Sequence, residues 1–273
     1  MIGVAWMLAA LAAWLVLIRL WQHWAHPHPE WARKLLHIGV GMVGFGFPFV
    51  INSRLPVWIT CTVAALAMLA LRLAGPLRRG LGVVLANVNR VSLGEFYFLL
   101  GLPALFTLAQ GGALYGTALA ILTFADSAAA LVGTFYGRHR FGTHPEAKSL
   151  EGSLAFFAVS FVACLIGLTQ NSVGVPEAVL ASLAVSALMA LLEAVTGHGL
   201  DNLLLPVCSY LLLRSVAGLD AGALAVACLT AFVIVAGVVP WKLVLRDKKA
   251  IDHPALNPPA TLEKLEGEEQ VSV

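Results

Sequence analysis

Asp126 is an ionisable residue inside a long apolar run, and it is the first candidate for chemistry in this sequence. Helical spacing puts Ala130, Gly133 and Gly137 on its face, so the carboxylate lies along a stripe without side-chain bulk. Another backbone or a phosphate could approach that stripe closely. A charge within a bilayer is costly and indicates a functional site. The alternative is a helix-packing seam with Asp126 hydrogen-bonded across it.

The segment Lys148–Ser153 has the features of an anion site at the start of a helix. Ser149 can cap that helix, Gly152 permits close approach, and the free N–H groups of the first turn carry partial positive charge. With Lys148 as a point charge, and Arg138 in the basic loop before it, this segment suits the phosphates of a nucleotide. The alternative is a simple helix cap.

The segment from Glu193 to Asn202 carries acidic and amide residues and contains no Lys or Arg. Carboxylates near a phosphate repel it unless a cation lies between them. We therefore expect Mg²⁺ to be held by Asp126, Glu151, Asp201 and Asn202. The spacing leaves open which of them contact the metal. Glu193 is a possible further site residue. Asp201 and Asn202 could instead cap the helix that follows.

Basic residues and one imidazole mark the start of another apolar run, where Arg33 and His37 share a helical face with Lys34 beside them. We expect Arg33 and Lys34 to hold phosphates, with His37 a further site candidate. The alternative for the basic pair is a membrane anchor on the positively charged side. Glu95 is a further candidate, and its alternative is an ion pair with Arg90.

Composition indicates that membrane-spanning helices position these residues. The 273 residues are 59% hydrophobic and only 12% charged, and the mean hydropathy is +0.86, which is unusual for a soluble domain. A spanning helix needs about 20 apolar residues. We predict an all-α, polytopic integral membrane protein with about nine such helices, at residues 2–21, 34–52, 55–74, 95–110, 113–136, 151–170, 178–196, 200–217 and 221–245.

The positions of Lys and Arg predict the orientation. With the N-terminus outside, fifteen of the seventeen Lys and Arg residues lie at inward ends and loops, and only Arg54 and Arg214 lie outside. We therefore expect a protein of the cell membrane whose C-terminus and polar site residues face the cytoplasm. We predict a transmembrane domain at residues 1–246 and a disordered cytoplasmic tail at 247–273, which mixes Pro, Glu and Lys without apolar periodicity.

Four ordered blocks resemble the dolichol, phytol and diacylglycerol kinase family. The match runs from about residue 31 to 206. One departure is Leu93-Gly94-Glu95, where the relatives carry an Arg-Gly-Glu type turn. The matching blocks are Arg33-Lys-Leu-Leu-His-Ile-Gly39, Asp126-Ser-Ala-Ala-Ala-Leu-Val-Gly133 with Tyr136-Gly-Arg138, Lys148-Ser-Leu-Glu-Gly-Ser153, and Glu193-Ala with Asp201-Asn202.

The resemblance implies a CTP-dependent integral membrane kinase. Such an enzyme transfers the γ-phosphoryl group of CTP, or a related nucleotide, to the hydroxyl of a polyprenol, phytol or diacylglycerol with a divalent ion. By resemblance, Arg33, Lys34, Asp126, Gly133 and Lys148–Ser153 are the functional positions. Two alternatives are a cytidylyltransferase that makes a CDP-lipid and a transporter. No nucleic-acid partner is expected, and the sequence leaves the preferred lipid, the nucleotide and the oligomeric state open.

Overall fold

The computed structural model describes residues 2–73, 93–142 and 147–252. These residues form a helical bundle with one short β-hairpin. In chain order the elements are α1 (Ile2–Ala25), α2 (Pro29–Val50), α3 (Arg54–Leu73), α4 (Gly94–Ala109), α5 (Ala113–Ala120), a π-helical turn (Ile121–Ala125), α6 (Asp126–Phe135), β1 (Arg140–Phe141), β2 (Lys148–Ser149), α7 (Leu150–Gln170), α8 (Val175–Val195), α9 (Asp201–Val216) and α10 (Ala221–Asp252).

Several helices are long and apolar enough to cross a bilayer, which agrees with the prediction of an all-α, polytopic membrane protein. In the described part of the chain there are six, at Ile2–Ala25, Arg54–Leu73, Ala113–Phe135, Leu150–Gln170, Val175–Val195 and Ala221–Val238. α4 and α9 have only 16 residues each, and α2 carries charges in its first turns. The count of nine spans and the orientation therefore stay predictions.

The predicted tail begins within a helix, because α10 continues to Asp252. Residues 253–273 lie outside the described residues, so a disordered tail at 247–273 also stays a prediction. Arg90, the partner suggested for Glu95, lies outside the described residues as well.

A π-helical turn directly precedes Asp126. The N–H of Asp126 donates to the carbonyl of Ile121, five residues back, instead of to that of Leu122. The carbonyl of Leu122 is thereby released, and it contacts His37 Nε2 of α2 at 2.8 Å. Because a carbonyl oxygen only accepts, Nε2 of His37 carries the proton. Single π-helical turns of this kind occur frequently at functional sites.

Small residues let α6 and α7 pack at very short range. A Cβ atom on Gly152 would lie 2.7 Å from the carbonyl oxygen of Ala129, and one on Gly133 would lie 3.1 Å from Ser149 Oγ. Gly133, a member of the small-residue stripe predicted beside Asp126, is thus part of a contact between packed helices. It holds the start of α7 against the helix that carries Asp126.

The apolar core has two parts. The larger part contains residues of every described helix and includes Leu102, Leu119, Phe156 and Leu205. A smaller cluster of Ile18, Ala32 and Leu36 lies between α1 and α2. The polar side chains described next lie where α2, α6, α7, α8 and α9 meet.

Candidate active site

Asp126 forms a buried ion pair with Lys34. Lys34 Nζ donates to Asp126 Oδ2 at 2.6 Å, and the two side chains are only 2% and 9% exposed. His37 Nε2 lies 3.4 Å from the same oxygen. The i, i+3 spacing of Lys34 and His37 on α2 puts both on the face that meets α6. Lys34, predicted to hold a phosphate, is therefore the counter-charge of Asp126.

Lys148 occupies a second position between acids. In the hairpin, Phe141 of β1 pairs with Lys148 of β2, and β2 leads directly into α7. Lys148 Nζ donates to Glu193 Oε1 at 2.6 Å and to Asp201 Oδ2 at 3.2 Å, and also to the backbone carbonyl of Glu193. Burial alone lowers the pKa of Lys148, but the carboxylates of Glu193 and Asp201 outweigh it and hold this pKa above its usual value. Lys148 is thus a cation at neutral pH.

Three buried carboxylates converge between these two lysines. One oxygen each from Asp126, Glu193 and Asp201 lies within 4.8 Å of the others. Asn202 lines the same cavity, and its Nδ2 donates to the carbonyl of Gly94 at 3.1 Å while its buried Oδ1 has no hydrogen-bond partner. Carboxylate and amide oxygens are the ligands that Mg²⁺ prefers. The residues present therefore fit a divalent metal ion.

Glu151, which the sequence places in the expected metal set, does not join this group in the structure. Its carboxylate contacts the backbone N–H and Nδ1 of His139 in the loop before β1, and it does not line the cavity. The helical repeat explains the difference, since Glu151 points about 100° away from Gly152 on the first turn of α7. Glu193, which the sequence marks only as a possible site residue, takes its place.

Ser149 and Ser153 of the expected anion site have different surroundings. Ser149 is buried and caps α7, accepting a hydrogen bond from the N–H of Gly152 at 3.0 Å. Ser149 therefore caps the helix, as the sequence predicts, and its role towards an anion stays a prediction. Ser153 lies one turn later and lines the cavity, and its Oγ atom is buried without a hydrogen-bond partner. Of the two hydroxyls, Ser153 is the one that faces a prospective ligand.

Two arginines at the cavity, Arg33 and Arg72, are in ion pairs. Arg33 Nη2 lies 2.5 Å from Glu30 Oε1, and Arg72 Nη2 lies 2.7 Å from Glu95 Oε2. Glu95 is thus in an ion pair, with Arg72 of α3 as its partner. Arg140 of β1 donates to the carbonyl of Gly133 at 3.3 Å.

The cavity enclosed by these side chains has a volume of about 190 Å³. It brings together residues from all four sequence blocks. Arg138 and Glu151 do not line it, and Arg138 is exposed. The predicted site residues that line the cavity are Arg33, Lys34, His37, Glu95, Asp126, Gly133, Lys148, Ser149, Gly152, Ser153, Glu193, Asp201 and Asn202.

Sequence reasoning missed several residues of the cavity wall. Glu30, Arg72, Arg140 and His198 all line it, although Arg72 and Arg140 were counted only as inward positive charges. His198 had a detectable signal, because it lies between two glycines in the acidic segment. In the structure its φ is +56°, a conformation uncommon for a non-glycine residue.

One side of the cavity is apolar. Leu36 and Val40 of α2, Met68 of α3, and Phe98 and Leu99 of α4 line this side. The edge of the His37 ring meets Phe98, with ring centroids 4.6 Å apart, so the apolar side begins next to Asp126. The cavity can hold a charged group and a hydrocarbon group at the same time.

Comparison with known proteins finds a relative among the phytol kinases. The chain is 31% identical over 193 residues to a phytol kinase from Synechocystis sp., and the alignment covers 67% of this chain and 78% of that relative. No family model matches the chain. No solved structure matches it.

Proposed function

The chain belongs to the phytol and polyprenol kinase family and is a lipid-alcohol kinase, and from this premise we propose that CTP is its phosphoryl donor and phytol or a related isoprenoid alcohol its acceptor. The relative's name favours phytol as the first acceptor to test. The single observation that carries the proposal is the meeting of three buried carboxylates with an apolar wall in one cavity.

A divalent ion is part of the proposal. Asp126, Glu193 and Asp201 would hold it, with Asn202 Oδ1 as an additional oxygen ligand. Bound Mg²⁺ supplies neutralisation of the charge on the transferred phosphoryl group. Three carboxylates at this spacing would otherwise repel a nucleotide, which is why the ion is expected together with it.

The basic residues divide into two groups by exposure. Lys148 is 22% exposed and Arg33 is 31% exposed as side chains, and Arg140 is exposed. These three can turn towards phosphates, where positioning and charge neutralisation account for most of the catalysis. Lys34 is too deeply buried to leave Asp126 without stranding a carboxylate.

The lipid hydroxyl is assigned to Asp126. The apolar side of the cavity starts at Phe98, and His37, which contacts Phe98, lies 3.4 Å from Asp126. A hydroxyl held here has a carboxylate within reach that can orient it and accept its proton. Lys34 and His37 fix the position of that carboxylate. Ser153 Oγ is free to donate to a phosphate oxygen.

We place the enzyme in the cell membrane with the cavity facing the cytoplasm. The tally of Lys and Arg supports an outside N-terminus, a cytoplasmic C-terminus and nine spans. In that orientation the nucleotide arrives from the cytoplasm and the alcohol from the bilayer.

Product analysis tests the proposal. The purified protein in detergent is incubated with Mg²⁺, a panel of phytol, polyprenol and diacylglycerol, and either CTP or, in a parallel reaction, ATP. CDP and a lipid monophosphate are the expected products. Pyrophosphate with a CDP-lipid would identify a cytidylyltransferase instead, and turnover with ATP but not CTP would refute the choice of donor.

A further inference from the structure

The apolar side of the cavity lies at a seam in the helix packing. α2 packs against α1, α5 and α6, whereas α4 packs against α3, α5 and α9. The two helices are not packed closely against each other along their backbones, although the rings of His37 and Phe98 meet between them. Leu36 of the smaller cluster and Phe98 of the larger one both line the cavity.

Met68 of α3 fills the seam. It is half-buried, and it packs against both apolar clusters. One turn before it on α3 are Ala64 and Ala65, which are also partly buried and leave little bulk along the helix. One turn after it is Arg72, which lines the cavity. Methionine is unbranched and flexible, so its side chain adapts to a varying neighbour at small cost.

The outer face of α3 carries exposed apolar side chains. Leu66 is 60% exposed and Leu69 is 42% exposed, and both flank Met68 in the sequence. Met68 therefore lies between the charged cavity, which it lines together with Asp126 and Phe98, and the exposed apolar face of α3.

We propose that this seam is a lateral slot that holds the hydrocarbon chain of the lipid alcohol, with Met68 as its movable plug. The inference rests on the proposed function and adds the site of the acceptor's chain. A lipid alcohol needs its hydroxyl among polar groups and its chain in an apolar environment, because each exposed methylene costs about 0.8 kcal/mol in water. The slot satisfies both requirements at once.

A second apolar surface is the competing location. A groove of about 520 Å³ lies between α8, α9 and α10 and is lined by apolar residues and Cys208. It includes Leu192 and Val195 of α8 but no charged residue. Because Glu193 faces the charged cavity from another side of α8, a chain in this groove would have to pass around the end of that helix.

Substitution of Met68 tests the slot. In Met68→Trp the larger side chain should block the seam and raise the KM for a long-chain alcohol about tenfold or more, since several methylenes lose their contacts. The KM for the nucleotide should change less than about twofold, which also shows that the variant is folded. Leu66→Trp, on the lipid-facing side of the same helix, is the matched control and should behave like the wild type.

A photoreactive alcohol gives a second measurement that does not depend on any variant. With a diazirine on its chain, it should label peptides of α2, α3 and α4 around Met68 in the wild-type protein. Labelling around Cys208 instead, or a raised lipid KM in Cys208→Trp and not in Met68→Trp, would overturn the slot.

Failure of the slot and failure of the proposed function are distinguishable. If the wild type phosphorylates a lipid alcohol and Met68→Trp leaves its KM unchanged, only the slot is refuted. If the wild type phosphorylates no alcohol of the panel, the proposed function is refuted and the slot with it.

Discussion

The ion pair between Lys34 and Asp126 should hold the structure together as well as serve the reaction. The two groups are 2.6 Å apart and nearly inaccessible. Asp126→Leu leaves the ammonium of Lys34 buried without its counter-charge, and breaking a buried pair from one side costs about 3–5 kcal/mol of unfolding free energy. Lys34→Met should cost less, because Nε2 of His37, 3.4 Å from Asp126 Oδ2, remains beside the stranded carboxylate as a hydrogen-bond donor.

Removing both charges should restore stability without restoring activity. The double variant Lys34→Met/Asp126→Leu exchanges the pair for apolar side chains of similar volume, a change that is often neutral or stabilising. We therefore expect a coupling energy between the two sites equal to the sum of the two single costs, about 4 kcal/mol or more. The assay is equilibrium unfolding of the four proteins in detergent, followed by tryptophan fluorescence, with turnover measured in parallel.

Two results would refute this reasoning. An Asp126→Leu protein within about 1 kcal/mol of the wild type would show that the pair contributes little to stability. Lipid-phosphate formation by any of the three variants would show that Asp126 or Lys34 has no part in the reaction. The expected result is no turnover in all three, with normal stability in the double variant alone.

Three further predictions concern the metal ligands, the helix contact and the ion itself. Glu193→Gln should lower turnover about 100-fold or more, while Glu151→Gln should change it only a few-fold. The reason is that Glu193 belongs to the cluster of three carboxylates, whereas Glu151 contacts His139. Equal effects would contradict a metal site that includes Glu193 and excludes Glu151. Gly152→Ala should cost about 1–3 kcal/mol of unfolding free energy, since the added Cβ would lie 2.7 Å from the carbonyl oxygen of Ala129. Gly218→Ala is the control, because a Cβ there meets nothing within 4 Å. Chelation with EDTA should abolish turnover and added Mg²⁺ should restore it, so activity that persists in EDTA would exclude a metal-dependent reaction.

The sequence predicts where the helices lie and which segments carry site residues, because membrane helices and helix starts have strong local signals. The apolar runs predict helices close to those observed, and Ser149 is recognisable as a cap from its position before α7. Asp126 is identifiable as a site candidate because a carboxylate within an apolar run is costly to bury and is rarely kept without a function.

The pairing of charges could not be predicted in the same way. Lys34 and Asp126 are 92 residues apart, and their contact depends on how α2 packs against α6. The choice between Glu151 and Glu193 depends on which face of each helix turns towards the cavity. For Glu151 the helical repeat held that information, since Gly152 and Ser153 occupy the inward face one step away.

Transfer of label from CTP to lipid tests the central claim most directly. Two reactions are run side by side with Mg²⁺ and phytol, one with CTP labelled at the γ-phosphate and one with CTP labelled at the α-phosphate. A lipid-alcohol kinase puts label into the lipid only from the γ-phosphate. Lipid labelled from the α-phosphate, or from neither, would contradict the account.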